Sequence, residues 1–184
     1  MKFVFGLFAI IIIAVFAIVL LFTRAPRTAP NSTHSVVLTD YVEKNSKVVY
    51  AKYGKINGDD VFRGVRISVS PTNRLVEVLA GYDQRIIRKK LYGNSQNGYA
   101  QFLTALSTAG FTAQQNSQYK TEIGRCPFGE RYTYQLFNDG KEISYLWDGS
   151  CNEKGTLRGK QDDIAQLFES QITDLDDVLE DIDL

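Results

Sequence analysis

The chain has 184 residues, of which 44% are hydrophobic and 23% charged, a balance that fits one globular domain and excludes a disordered chain. It holds one histidine and two cysteines, too few to build a His/Cys metal centre. Lys plus Arg and Asp plus Glu number 21 each, but they are unevenly placed. Between Ser35 and Lys160 eighteen basic residues stand against twelve acidic ones, and nine acidic residues with no basic ones follow Lys160. This is a basic body with an acidic tail.

Phe3 to Phe22, "FVFGLFAIIIIAVFAIVLLF", is a run of twenty residues without a polar side chain. As a helix it spans about 30 Å, the thickness of a bilayer's hydrocarbon core. It is longer than the apolar region of a secretory signal, and the small residues after it, Ala25 and Ala29, each precede a proline. The expectation is an uncleaved single-pass transmembrane anchor over 1–22. "TRAPRTAPNSTHS", Thr23 to Ser35, is rich in Pro, Thr and Ser and reads as a flexible stalk over 23–35. It contains the glycosylation acceptor pattern Asn31-Ser32-Thr33 and the only histidine, His34, which is poorly placed for catalysis or metal binding.

Residues 36–172 read as one α+β domain: a mostly antiparallel sheet of about five strands with two helices, in the order βββαββα. "KVVYAKY", Lys47 to Tyr53, opens it. In "GVRISVSPTNRLVEVLA", a turn over Pro71 to Arg74 pairs Val69 with Val76, Ile67 with Val78 and Val65 with Ala80 on one face. The third strand is expected to continue through a bulge at Gly81 into "QRIIRKKLY". Its cations Arg85, Arg88, Lys89 and Lys90 are a candidate binding surface, and equally a solvated edge that deters strand pairing. No sequence-specific nucleic-acid motif accompanies them. Tyr99, Phe102, Leu103 and Leu106 then recur at helical spacing, ending at Gly110.

"RCPFGERYTYQLFNDGKEISYLWDGSC" holds both cysteines and the only tryptophan. Asp139-Gly140 is a strong hairpin signal. Pairing Asn138 with Lys141 sets Leu136 against Ile143, Tyr134 against Tyr145 and Tyr132 against Trp147, an aromatic ladder on one face. Arg131 falls opposite Asp148 on the other. The same hairpin brings Cys126 and Cys151 together, so a disulfide is expected, with free thiols or half a metal site as the competing readings. Such a bond closes about 26 residues, contributes about 3 kcal/mol in the chain-entropy model, and persists in oxidising compartments. It places the domain on the extracytoplasmic side of the cell membrane. The flanking charges, Lys2 before the span and Arg24 and Arg27 after it, are neutral or lean weakly the other way.

"GTLRGK" fails as a phosphate loop, since Gly155 and Gly159 enclose three residues and Gln161 stands where a hydroxyl is needed. Ile164, Leu167, Phe168 and Ile172 define the last helix of the domain. "TDLDDVLEDIDL", 173–184, reads as a solvated acidic tail, or more sharply as an amphipathic segment for a partner helix or the domain's own basic face. Its carboxylates lack the calcium-loop spacing.

The pattern "CPFGERYTY…W…C…GTLRG…IAQLF" after "FLTALSTAGF" resembles membrane-anchored envelope proteins of small-genome bacteria, over about Val65 to Ile172. That resemblance implies an anchored bacterial domain with a disulfide and brings no activity or site residues. No catalytic, metal or cofactor residue is assigned. The expected function is non-enzymatic binding of another protein or an envelope polymer. The alternative is an envelope hydrolase, for example on glycans, using two of Glu130, Asp148 and Glu77 as paired acids.

Overall fold

A computed structural model describes residues 36–184. After a 3-10 turn at Leu38–Tyr41 come β1 (Ser46–Tyr53), β2 (Arg63–Val69), β3 (Asn73–Ala80), β4 (Arg85–Gly93), α1 (Gln96–Ala109), β5 (Arg131–Asn138), β6 (Lys141–Gly149), α2 (Gln161–Glu169) and α3 (Leu175–Leu179). The strands form one antiparallel sheet in the order β4-β3-β2-β1-β5-β6. β1 lies between β2 and β5, and its Val48, Val49, Tyr50 and Ala51 are at most 3% exposed, as the apolar "VVYA" run requires of a strand buried on both faces.

This corrects the expected five strands and two helices: the sheet has six strands and the described chain three helices. Residues 85–93 do not continue β3. Gly81 adopts φ +71°, a left-handed conformation that glycine enters without a Cβ clash, and Gln84 N–H donates to the Gly81 carbonyl at 3.1 Å. The chain reverses, and β4 returns antiparallel beside β3. Among the described residues no helix is long and apolar enough to cross a membrane. The anchor and stalk expected over 1–35 lie outside the described residues.

Two registers also differ. β2 and β3 pair Val69 with Arg74, Ile67 with Val76 and Val65 with Val78, two residues from the expected pairing. The turn is tighter: Ser70 N–H donates to the Asn73 carbonyl at 2.9 Å, and Ser70 Oγ accepts from Asn73 N–H at 3.1 Å. A two-residue slip returns every side chain to the same face, so Val65, Ile67, Val69, Val76 and Val78 remain buried together. In β5–β6, Asn138 does pair with Lys141 across Asp139 and Gly140, which adopt φ +49° and +76°. A bulge between Leu136 and Phe137 then shifts the rest by one. Tyr134 faces Leu146 and Thr133 faces Trp147, so the expected aromatic ladder does not form, and Arg131 lies opposite Gly149 rather than Asp148.

The two sheet faces are covered differently. α1 and α2 pack on the face that carries Tyr50, Ile67 and Tyr134, where the Phe168 ring lies 5.5 Å from Tyr50 and 5.1 Å from Phe102. Ser95 caps α1 by accepting from Gly98 N–H, and beyond Gly110 the Phe111 N–H returns to the Leu106 carbonyl while its ring is buried against Tyr134. On the opposite face Trp147 is fully buried, its indole N–H donating to the Tyr119 carbonyl at 3.1 Å. Phe62 stacks there between Tyr53 and Tyr82.

Residues 173–184 are not a solvated tail. Val178 is 4% exposed and Leu175, Leu179 and Ile182 pack on the core edge, so the i, i+3, i+4 apolar spacing is satisfied by the domain itself.

Candidate binding surfaces

Cys126 and Cys151 form a disulfide with Cα atoms 5.6 Å apart. Around it, Ser150 N–H donates to the Glu130 carbonyl at 3.0 Å and Glu130 N–H donates to Ser150 Oγ at 2.9 Å. Cys126 to Gly129 is a tight turn, closed by Gly129 N–H on the Cys126 carbonyl at 3.2 Å. The turn is tied to the neighbouring loop as well, because Ile56 N–H donates to the Pro127 carbonyl at 2.8 Å. Arg125 lies 3.7 Å over the Tyr119 ring, the same residue whose carbonyl receives Trp147. From this pinned loop Phe128 projects 88% exposed, with Ile123 at 72%. Loop residues are ordinarily polar and mobile; here the most exposed large apolar side chain, Phe128, stands on a covalently clamped turn, with Ile123 just before it.

The basic strand is divided by the pleat. Arg88 and Lys90 share the helix-covered face with Val78 and Val76, and both hold the acidic tail. Arg88 Nη1 donates to the Val178 carbonyl at 2.6 Å and the Glu180 carbonyl at 3.0 Å. Lys90 and Tyr92 both donate to the Asp174 carboxylate, whose pKa is lowered first by the Lys90 hydrogen bond and then by that of Tyr92. Arg85 and Lys89 join no ion pair among the described residues. Half of the candidate cationic surface is therefore already engaged by the chain's own tail.

Of the three candidate carboxylates, Glu77 stands apart from the other two. Glu77 is on the face away from the helices, its carboxylate 2.8 Å from Arg66 Nε on the adjacent strand. Glu130 and Asp148 flank Tyr132: Asp148 is its cross-strand partner, and the Tyr132 hydroxyl donates to Glu130, which also meets Lys52 at 2.8 Å. Burial alone pushes the Glu130 carboxyl up, but the Lys52 and Tyr132 hydrogen bonds outweigh it and hold the pKa below the usual range. Burial raises Asp148 against the opposing hydrogen bonds from the Gly149 and Gly155 amides. Among the described residues no group of three or more His, Cys, Asp and Glu side chains is arranged to hold a metal ion. A cavity of about 280 Å³ is lined by Lys55 and Arg63 and by Asp181, Asp183 and Leu184, among other residues.

Compared with known proteins, the chain matches no family model, and no curated protein is significantly similar to it in sequence. The resemblance to bacterial envelope proteins thus gains nothing from these comparisons, and the reading of function rests on the surfaces themselves.

The sequence brought the cysteines and the basic strand to notice. It did not mark Phe128 or Ile123, because one exposed aromatic between Pro127 and Gly129 has no periodicity to reveal it.

Proposed function

We propose that this chain is a non-enzymatic binding domain of the cell envelope, held at the membrane by its apolar N-terminal run and facing the oxidising side. The contact is made through the disulfide-clamped loop that carries Phe128. The observation that carries this reading is the 88% exposure of Phe128 on a turn fixed by a disulfide and by the Ile56–Pro127 hydrogen bond. An exposed aromatic costs solvation, and fixing it in place removes the ordering entropy that a flexible loop loses on binding. Rigid aromatic anchors are what dominate interface energies. The disulfide supports an extracytoplasmic position for the same reason that such bonds are rare where thiols are kept reduced. The partner is a protein or an envelope polymer.

The test is the size of the full-length protein's complex after gentle extraction from its native membrane. Wild-type protein should migrate with a partner, and Phe128→Ser should release it as free protein with an unchanged melting temperature. Co-migration that survives the substitution would reject the loop as the contact.

One observation favours the hydrolase reading over silence: Glu130 and Asp148 flank one tyrosine and their acidities are pushed apart, the pattern of an acid paired with a base. It is tested by turnover of cell-wall glycans by wild type against Glu130→Gln and Asp148→Asn. Activity abolished by either change would establish it.

A further inference from the structure

The two ends of the sheet are treated differently. Beyond β6, Thr156 and Leu157 N–H groups both donate to the Trp147 carbonyl and Trp147 N–H donates to Thr156 Oγ1, so a neighbouring segment meets that edge at Trp147. Beyond β4 there is no such cover. Among the described residues no backbone hydrogen bond reaches the outer edge of this nine-residue strand. It is long for an edge strand, and open edges are templates for another strand. Ile86, Ile87 and Leu91 stand on it 45%, 47% and 65% exposed.

We infer that the free edge of β4 accepts an acidic extended segment of a partner, which adds to the sheet as a further strand. The backbone groups supply the hydrogen bonds, the three apolar side chains supply contact, and charge selects the occupant. Arg85, Arg88, Lys89 and Lys90 lie within six residues, and the chain itself shows what they attract, since Arg88 and Lys90 hold its acidic tail. Arg85 and Lys89 remain for a second acidic segment. A second copy of β4 is the wrong occupant, because pairing the strand with itself sets four cations against four. This surface is separate from the Phe128 loop and stands or falls independently of it.

The experiment uses full-length protein in detergent micelles and a capped, fluorescent peptide alternating glutamate and valine. Anisotropy should show saturable binding, and hydrogen exchange should slow at the alternate β4 amides. N-methylation of one edge of the peptide backbone should abolish binding. Arg85→Glu with Lys89→Glu leaves the contacts of Arg88 and Lys90 with the tail in place and should weaken binding by about tenfold. No binding of the acidic peptide overturns the inference. So does equal binding of the N-methylated peptide, which shows charge attraction without strand addition. A dimer that forms through β4 also overturns it, as would binding of a lysine–valine counterpart with the same affinity.

Discussion

Lys90 donates to the Asp174 carboxylate, 84 residues further along the chain, and Tyr92 donates to the same group. Through this contact the acidic end of the sequence closes on its basic edge strand. The ion pair is exposed and guides the tail more than it stabilises it. The stabilising part is apolar, from Val178 buried among core-edge residues. Val178→Ala should lower unfolding free energy by about 1–2 kcal/mol. Asp174→Ala should have a smaller effect that fades with added salt. Urea titrations at two ionic strengths check both, and the order of the two effects is the discriminating result.

The disulfide and the hairpin turn act on opposite ends of β5 and β6. Replacing Cys126 and Cys151 with Ser should lower stability by about 2–4 kcal/mol while Asp139-Gly140 keeps the register. Denaturant unfolding measures the loss, and cross-strand contacts in NMR spectra show whether Thr133 still faces Trp147.

The revised β2–β3 register makes its own prediction. Arg66 and Glu77 are directly opposite, with a 2.8 Å contact, and Glu77 is only 7% exposed. A double-mutant cycle at these positions should give a coupling of about 1 kcal/mol. The two-residue-shifted pairing would set them on a diagonal and give a smaller coupling.

These cases show where the sequence is legible. Which residues share a face was readable, because alternation in "VRISV" and "LVEVL" survives any even slip. The register was not, since an even slip leaves that alternation intact and Ser70 closes a tighter turn than its neighbours announce. The bulge beside Leu136 has no compositional mark, and it turned Trp147 to the face opposite Tyr134. β4 was hidden because Gly81 fits a bulge as well as a reversal. The cysteine pairing was readable despite the wrong register, because a one-residue shift leaves both residues beside the hairpin's open end. The tail was legible in part: nine acidic residues after Lys160 favoured a solvated reading, while the spacing of Leu175, Val178, Leu179 and Ile182 allowed an amphipathic segment on the domain's own basic face, which is where it lies.

Asp148 gives a pH prediction. Burial raises its pKa in the folded protein, so the native state holds the proton more tightly than the unfolded chain. Its effect on stability is therefore favourable at low pH and is lost as pH rises from the ordinary aspartate value, about 3.9, through the raised one. Asp148→Asn keeps an acceptor for the Gly149 amide and removes the titration. The variant should be more stable than wild type at neutral pH, and the gain should shrink below pH 4 or so. Unfolding curves at the two pH values measure it.

On the proposed function, the clamped loop meets a partner outside the cytoplasm. The most direct measurement places a photo-crosslinking amino acid at position 128 of the full-length protein in intact cells, with a second variant carrying it at the buried position 103 as control. Irradiation should give a discrete adduct at 128 and none at 103, and replacing Cys126 and Cys151 with Ser should diminish it. An adduct that is absent at 128, or equally strong without the disulfide, would show that the clamped loop is not the contact.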